Sequence, residues 1–257
     1  MLEGARETME KTGNVMILGG FISPSHDSYV GQKLSGEKLL LDSTKRAELC
    51  ELQTRDSDWL DVDRWESNQS QFMVYSKVAS RLQKFVEESC RLMLQNKIKT
   101  LDGSDPDPCE TIRVVYVCGA DFVLRTGAVN LNGGIAVVDR PVSFNRRSSF
   151  LLPSPGDAKP APLTSQVITQ AENTAEELVR GKVVEERVIG KLNESYGDAW
   201  EEFLANKFWW VSARGSPDSE DISSTLIRER IEGNQSCDGL LHPAVSKRVL
   251  EWSQNAA

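Results

Sequence analysis

Five short apolar runs, separated by stretches of helical periodicity, constrain the fold of this chain more than any other feature. Each run is nearly continuous and rich in β-branched or aromatic residues, which is typical of strands buried on both faces of a parallel sheet. The runs lie at Asn14–Leu18, Ile112–Cys118, Ile135–Val138 and Phe208–Val211, with a weaker alternating run at Trp59–Val62. Helical periodicity occurs at Thr44–Gln53, Phe72–Leu94, Ala171–Leu192 and from Pro243 to Trp252. Strands that alternate with helices predict an α/β fold with a doubly wound parallel sheet.

The domain organisation follows from the two segments that interrupt this alternation. The chain has 257 residues, a length that suits one large domain. Segments near 95–110 and 143–166 are dense in turn-forming residues; the first is acidic and the second is rich in proline. Because strand-like runs resume after each segment, we expect a single domain over residues 1–257 with two flexible insertions.

Composition excludes several classes of function. Thirty Lys and Arg against 38 Asp and Glu give a formal net charge of −8, which argues against a protein held to nucleic acid by phosphate contacts. No run reaches the roughly 18 apolar residues of a membrane span, so we expect no membrane insertion. Five scattered cysteines without a C-x-x-C pair indicate an intracellular protein. The two histidines, His26 and His242, are too few for a histidine-rich metal site, and we expect no protein metal site.

Three polar motifs follow predicted strands, the third after a short loop. They are Gly19–Tyr29, Cys118–Asp121 and Asp221–Arg228. Because ligands of open parallel sheets bind beyond the carboxyl ends of the strands, these motifs are the candidate binding residues. In the second motif, Gly119 would let a ligand approach the backbone and Asp121 would accept a hydrogen bond from it. The alternative is that Asp121 caps a helix, and the pattern taken alone favours that alternative.

The third motif predicts an anion site at a helix N-terminus. Unpaired backbone N–H groups and the hydroxyls of Ser223, Ser224 and Thr225 would converge there. Arg228 follows Ser224 by four residues and Thr225 by three, so its guanidinium would lie on the same helix face. The alternative is an ordinary Ser/Thr cap followed by an exposed arginine.

Five segments carry distinctive residues in a fixed order from about residue 5 to residue 252. They are Gly20–Pro24 with Asp27 and Tyr29, Lys45–Leu49, Trp59–Ser67, Cys118–Asp121 and Ile222–Arg228. The W-x-x-V-D-x-W-E-S and I-S-S-T-x-I-R patterns within them are the most specific. The set resembles the eukaryotic-type nicotinamide mononucleotide adenylyltransferases of the nucleotidylyltransferase superfamily, and the resemblance implies a Rossmann-like fold.

The resemblance places Gly20–Tyr29 on the second strand and loop of the family. We therefore expect the family's first strand, and the G-S-F-N-P-x-x-x-x-H loop after it, to be missing, with Leu2–Gly13 matching the helix that follows that loop. Their loss would remove a central strand and much of the stabilisation of the transferring phosphoryl group. His26 lies in a turn similar to the G-x-F-x-P-x-x-H type. Ser28 and Tyr29 stand where a second histidine would follow, so we interpret His26 as a loop residue without a phosphate role.

The resemblance also implies a reaction, its ligands and the residues that bind them. AMP would pass from ATP to nicotinamide or nicotinate mononucleotide in NAD biosynthesis, with release of pyrophosphate and with Mg²⁺ on the ATP phosphates. The ATP-binding residues would be Ser223, Ser224, Thr225 and Arg228, and Arg228 is the single candidate for a catalytic role. The other substrate-binding residues would be Ser23, Lys33, Phe72, Gly119, Asp121 and Leu131. Of these, Ser23, Lys33 and Phe72 would lie near the mononucleotide, and Gly119 and Asp121 would contact the dinucleotide. Asn132 replaces a second stacking tryptophan of the family, which weakens the case for a nicotinamide substrate in particular.

Other functions stay open at this point. One alternative is a catalytically impaired nucleotide-binding homologue with a regulatory or interaction role. Another is a chaperone-like role, for which the chain offers only its net charge. The expected partners are ATP and a pyridine mononucleotide, without nucleic acid or membrane, in the cytoplasm or nucleus. Assembly into a homo-oligomer is left open.

Overall fold

The computed structural model describes residues 1–35, 40–94, 112–128, 130–139, 170–212, 224–233 and 235–255. The predicted insertions near 95–110 and 143–166 lie outside the described residues. The elements are α1 (Leu2–Lys11), β1 (Gly20–Ile22), α2 (Asp27–Lys33), α3 (Ser43–Thr54), β2 (Leu60–Val62), α4 (Tyr75–Leu94), β3 (Tyr116–Gly119), α5 (Ala120–Thr126), β4 (Ile135–Asp139), α6 (Gln170–Tyr196), α7 (Trp200–Lys207), β5 (Phe208–Ser212), α8 (Ser224–Glu232) and α9 (Pro243–Asn255). Within this described part, no helix has both the length and the apolar composition needed to cross a membrane.

The strands form two parallel sheets, which confirms the predicted α/β class. β1 pairs with β2, with Gly20 opposite Leu60. The second sheet has the order β3-β4-β5. In its central strand, Ile135 lies opposite Tyr116 on one side and Phe208 on the other. Parallel neighbours that are distant in sequence require crossovers, and the helices between the strands provide them.

β4 is buried on both faces, and its side chains divide between two cores. Ile135 and Val137 point to one face, where they pack with residues of α5, α6 and α7: Val123, Val188, Leu192, Trp200 and Phe203. Ala136 and Val138 point to the opposite face and pack with Ala5, Met9 and Val211. This division follows from the period of two in a strand. It explains why the run is apolar at every position.

Helix α1 contacts both sheets. Its small and flexible apolar side chains, Ala5 and Met9, lie on the core beneath β4 and β5. On its other side, Glu3 accepts a hydrogen bond of 3.1 Å from the indole N–H of Trp59, just before β2. The guanidinium carbon of Arg6 lies 4.9 Å from the centroid of the Trp59 ring. The helix therefore joins the two-stranded sheet to the three-stranded sheet.

The first predicted strand is placed differently by the structure. Asn14–Leu18 has no strand pairing among the described residues, and the strand forms at Gly20–Ile22 instead. Val15 and Ile17 pack against the core beneath α1, while Met16 and Leu18 are exposed. The apolar run that predicted a strand thus reflects packing of this segment against the core beneath α1.

A pair of glycines lets three strands meet at the start of β4. A Cβ atom on Gly133 would collide with the carbonyl oxygen of Val114. Gly134 has a φ of +115°, and a Cβ there would lie 2.6 Å from the carbonyl oxygen of Lys207. Gly134 needs glycine for its φ and its lack of space, and Gly133 needs it for lack of space alone. The turn into β4 therefore depends on both residues.

Truncation of Leu192 should test the core that faces α6. Leu192 has 0% exposure, so Leu192→Ala should lower the free energy of unfolding by about 2–5 kcal/mol, since it removes buried methyl groups and leaves a cavity. Leu92→Ala, at a leucine of α4 that is 66% exposed, is the matched control and should change it by less than about 0.5 kcal/mol. Equal losses in denaturant unfolding of the two variants would contradict the assigned core.

Candidate functional site

The carboxyl ends of β1 and β2 lead into two segments that contact each other. The first, residues 23–29, follows β1 and begins α2. The second, residues 63–72, follows β2. Ser23 at the end of β1 donates a hydrogen bond of 3.1 Å to Glu66 of the second segment. The predicted substrate residue Ser23 is thereby placed beside a carboxylate 43 residues away.

Glu66 is the buried acid of this region, with 7% exposure. Burial raises the pKa of its carboxyl group above the ordinary value of 4.5, against the lowering effect of hydrogen bonds from Ser23, the backbone of His26 and the side chain of Ser25. These donors keep an otherwise costly buried carboxyl satisfied. Glu66 is not among the predicted site residues. Its position in the W-x-x-V-D-x-W-E-S pattern was the one signal that could have indicated a polar role.

Arg46 of α3 holds the loop that leads from β1 to α2. Its guanidinium donates to the carbonyl oxygen of Ser25 at 2.7 Å and to Asp27 Oδ1 at 2.6 Å, and its Nε donates to the carbonyl of Leu41. Burial raises the pKa of Asp27, but the hydrogen bonds from Arg46 and Ser43 outweigh it and leave the pKa below 3.8. The loop is therefore held in one conformation by a charged side chain from another helix.

His26 links the two segments. Its Nδ1 accepts the backbone N–H of Ser28 and caps α2, while its Nε2 lies 3.1 Å from the carbonyl oxygen of Gln69. Among the described residues, its ring nitrogens contact only the backbone and hydroxyl of Ser28 and the backbone of Gln69. Sequence reasoning missed its role as a bridge, because Gln69 contributes only a backbone carbonyl.

An exposed aromatic pair lies beyond this bridge. The rings of Tyr29 and Phe72 are stacked, with centroids 5.2 Å apart and planes inclined by 16°. The residues remain 37% and 41% exposed, respectively, so the pair can still offer ring surface to a planar ligand. Phe72 was predicted to contact the mononucleotide, and the structure adds Tyr29 as its neighbour.

A second aromatic cluster lies towards β3. Tyr75 of α4, Tyr116 of β3 and Phe122 of α5 have ring centroids 5.0–5.7 Å apart. Burial raises the pKa of Tyr116, and the nearby charges of Cys118 and Glu66 act in the same direction. Since Glu66 follows β2 and Tyr116 begins β3, the segment after β2 lies close enough to the amino end of β3 for electrostatic interaction.

The predicted residues after β3 have separate environments. Gly119 is buried and is the N-cap of α5, without a side-chain cap. Asp121 therefore does not cap this helix; it lies in the first turn and accepts a weak hydrogen bond of 3.4 Å from Arg125. Leu131 is buried in the core with Ile135. A ligand contact from Leu131 would thus have to come from its backbone.

The predicted ATP residues lie on α8. Ser224 and Thr225 are exposed in its first turn, and Arg228 Nη2 donates to Thr225 Oγ1 at 3.3 Å. This contact brings together two of the predicted residues, as their spacing indicated. Ser223 lies outside the described residues. Lys33 is exposed in the last turn of α2. No hydrogen bond among the described residues joins Arg228 or Lys33 to the Ser23–Glu66 pair.

The described residues include no group of three or more His, Cys, Asp or Glu side chains that could hold a metal ion. The site instead consists of hydroxyls, one buried carboxyl, exposed aromatic rings and arginines. Such a set can stack a planar ring, accept hydrogen bonds from it, and neutralise phosphate charge at a separate place.

Opposite pH trends should separate the two acids of this site. Glu66 has a raised pKa, so its contribution to stability falls as pH rises from 4.5 through its higher folded-state pKa. Asp27 has a lowered pKa, so its contribution is complete above 3.8 and is lost as pH falls below that value.

The difference in free energy of unfolding between wild type and Glu66→Gln should therefore decrease as pH rises. The difference for Asp27→Asn should increase with pH. Denaturant unfolding from pH 3 to pH 8 measures both quantities. A pH-independent difference for Glu66→Gln would contradict the effect of its burial.

Comparison with known proteins supports the family resemblance. No protein-family model matches the chain. The nicotinamide/nicotinic acid mononucleotide adenylyltransferase 2 of Xenopus tropicalis is 34% identical over 96 residues, which is 37% of this chain and 29% of that protein. The nicotinamide/nicotinic acid mononucleotide adenylyltransferase of Arabidopsis thaliana is 30% identical over 124 residues, 48% of this chain and 43% of that protein.

A third relative extends the match to an insect. The nicotinamide-nucleotide adenylyltransferase of Drosophila melanogaster is 34% identical over 86 residues, 34% of this chain and 21% of that protein. The matched part spans less than half the length of each of these curated relatives. Similarity to animal and plant proteins of one kind, together with parallel α/β sheets, confirms the resemblance: over part of its length, the chain is similar to the nicotinamide/nicotinic acid mononucleotide adenylyltransferases.

Proposed function

We propose that this chain is a nucleotidylyltransferase of NAD biosynthesis, which transfers AMP from ATP to nicotinamide or nicotinate mononucleotide. The single observation that carries the proposal is the exposed Tyr29–Phe72 pair, which belongs to the two segments that the Ser23–Glu66 hydrogen bond joins at the carboxyl ends of β1 and β2. This is where open parallel sheets bind ligands. The names of the homologues point to the same pair of substrates.

The mononucleotide would lie across the two segments that follow β1 and β2. Its pyridine ring would stack on the exposed surface of Phe72 and Tyr29. Ser23 would offer a hydroxyl next to the ring substituent. Lys33, exposed at the end of α2, would be available to its phosphate group.

ATP would bind through the start of α8 and the end of β3. Thr225 and Arg228, which are already in contact, would hold the phosphates, with Ser223 and Ser224 beside them. Gly119 permits close approach of a ligand to the backbone, and Asp121 and the backbone of Leu131 would contact the dinucleotide. Because the chain has a formal net charge of −8, these local donors would supply the positive potential that the phosphates need.

The chemistry would be a direct displacement. A phosphate oxygen of the mononucleotide attacks the α-phosphorus of ATP and forms the new P–O bond. The bond from the α-phosphorus to the bridging oxygen breaks, and pyrophosphate leaves with the electron pair. No covalent enzyme intermediate is needed, so the residues act by positioning and by neutralising charge. Mg²⁺ would enter as the ion bound to the ATP phosphates.

The cellular setting that we propose is intracellular, in the cytoplasm or nucleus. Cys50, Cys90, Cys118 and Cys237 are free thiols in the described part of the chain, which is typical of a reducing compartment. The proposed partners are small molecules, ATP and a pyridine mononucleotide.

A coupled assay tests the proposed reaction directly. The 257-residue chain, given ATP, Mg²⁺ and nicotinamide mononucleotide, should form NAD at a rate that depends on both substrates. The parallel reaction with nicotinic acid mononucleotide measures the preference for amide or acid. Binding of both substrates without NAD formation would instead indicate a nucleotide-binding homologue without turnover.

Removal of the Arg228 side chain should weaken ATP binding. Arg228→Ala should cost about 1.5–3 kcal/mol of binding free energy, the scale of hydrogen bonds to charged groups. Arg230→Ala is the matched control, because Arg230 lies on the same helix and donates to the carbonyl oxygen of Ser236. Titration calorimetry that gives equal ATP affinity for wild type and Arg228→Ala would refute the role of Arg228.

A further inference from the structure

We propose that His26 is a positioning residue for the mononucleotide: by linking α2 to the segment after β2, it sets the face on which the pyridine ring stacks. This inference rests on the proposed function, because it assumes that the Tyr29–Phe72 pair receives the ring. It assigns to His26 no contact with substrate and no part in proton transfer. The imidazole acts through the two aromatic residues.

The hydrogen bonds of His26 determine which ring nitrogen carries the proton. The backbone N–H of Ser28, 3.2 Å from Nδ1, can only donate, so Nδ1 is an acceptor. Ser28 Oγ lies 2.8 Å from the same nitrogen. Nε2 then carries the hydrogen and donates it to the carbonyl oxygen of Gln69 at 3.1 Å. The neutral ring thus satisfies one donor of α2 and one acceptor of the other segment at the same time.

The link is placed symmetrically with respect to the aromatic pair. Tyr29 lies three residues after His26, and Phe72 lies three residues after Gln69. The backbone N–H of Tyr29 donates to the carbonyl of His26 at 3.1 Å, which fixes the short segment from His26 to Tyr29. Gln69 Nε2 donates to the carbonyl of Trp65 at 2.8 Å, which fixes Gln69 at the start of the short segment that leads to Phe72. The two short segments that start at the His26–Gln69 hydrogen bond therefore end in the stacked rings of Tyr29 and Phe72.

The charged groups near His26 have partners other than its ring. Asp27 pairs with Arg46, and the Glu66 carboxyl accepts the backbone N–H of His26 rather than its ring. The imidazole therefore interacts with a backbone N–H, a hydroxyl and a backbone carbonyl. Its contribution is to hold the start of α2 and residues 63–72 together through hydrogen bonds.

His242 is a natural control for His26. Its Nδ1 accepts the backbone N–H of Ala244 at the start of α9, and its Nε2 lies 2.9 Å from Asp56 Oδ2. It has the same pattern of one capping contact and one link to another element. Its link, however, lies at the amino end of β2, away from the aromatic pair.

The experiment compares three variants of the 257-residue chain by titration calorimetry with nicotinamide mononucleotide and, separately, with ATP. Asparagine is among the best N-capping residues but is too short to reach Gln69, so His26→Asn keeps the cap and loses the link. It should raise the Kd for the mononucleotide about fivefold or more and leave the Kd for ATP within about twofold. His242→Asn should leave both Kd values within about twofold.

A longer side chain should rescue binding. Glutamine caps helices poorly, but its amide N–H can extend to the carbonyl of Gln69. His26→Gln should therefore bind the mononucleotide with a Kd within about twofold of wild type, even if its melting temperature falls. A purely structural role would give the opposite order, because the variant that keeps the cap would then bind better.

A double-mutant cycle tests whether His26 acts through Phe72. The Kd of His26→Asn/Phe72→Leu should equal that of Phe72→Leu alone, since the link has no ring left to position. Three results would each overturn the proposal: a Kd of the double variant that is the product of the two single effects, an unchanged Kd for the mononucleotide in His26→Asn, or a loss of ATP affinity in His26→Asn as large as its loss of mononucleotide affinity. So would a wild-type chain that binds no mononucleotide. Wild-type binding without NAD formation would overturn only the proposed activity, and the Kd ratios would still decide the role of His26.

Discussion

The burial of β4 on both faces is the constraint on which the rest of the structure depends. A strand whose consecutive residues, Ile135 to Val138, are all buried needs a layer of helices on each side. α5, α6 and α7 supply one layer, and α1 supplies the other. Once α1 is held on that face, its Glu3 and Arg6 are placed to contact Trp59 and so to fix the two-stranded sheet.

The candidate site uses this scaffold through polar contacts between loops. Arg46 connects the loop after β1 to α3, and Glu66 and His26 connect it to residues 63–72, in each case through hydrogen bonds. Hydrogen bonds are more directional than apolar contacts, so they can hold loops in one geometry next to solvent. The site is therefore organised by donors and acceptors, whereas the sheets are organised by burial.

This difference explains how much the sequence could predict. Continuous apolar runs identified β3, β4 and β5 to within a few residues, and the alternating run at Trp59–Val62 identified β2, because burial of a strand is visible in the local composition. The run at Asn14–Leu18 was misleading, since Val15 and Ile17 pack into a core without strand pairing among the described residues. The link from Ser23 to Glu66 could not be predicted, because its partners are 43 residues apart and nothing local specifies them.

The position of α1 also has a consequence for biosynthesis. The helix ends at Lys11, but the core that it covers is completed by β5, which begins at Phe208. During translation, Ala5 and Met9 cannot be fully covered until β5 has been synthesised. Such long-range pairing raises the contact order and slows folding. The nascent chain therefore carries the uncovered apolar face of α1 until β5 has been made, which favours engagement by chaperones before the two sheets can be joined.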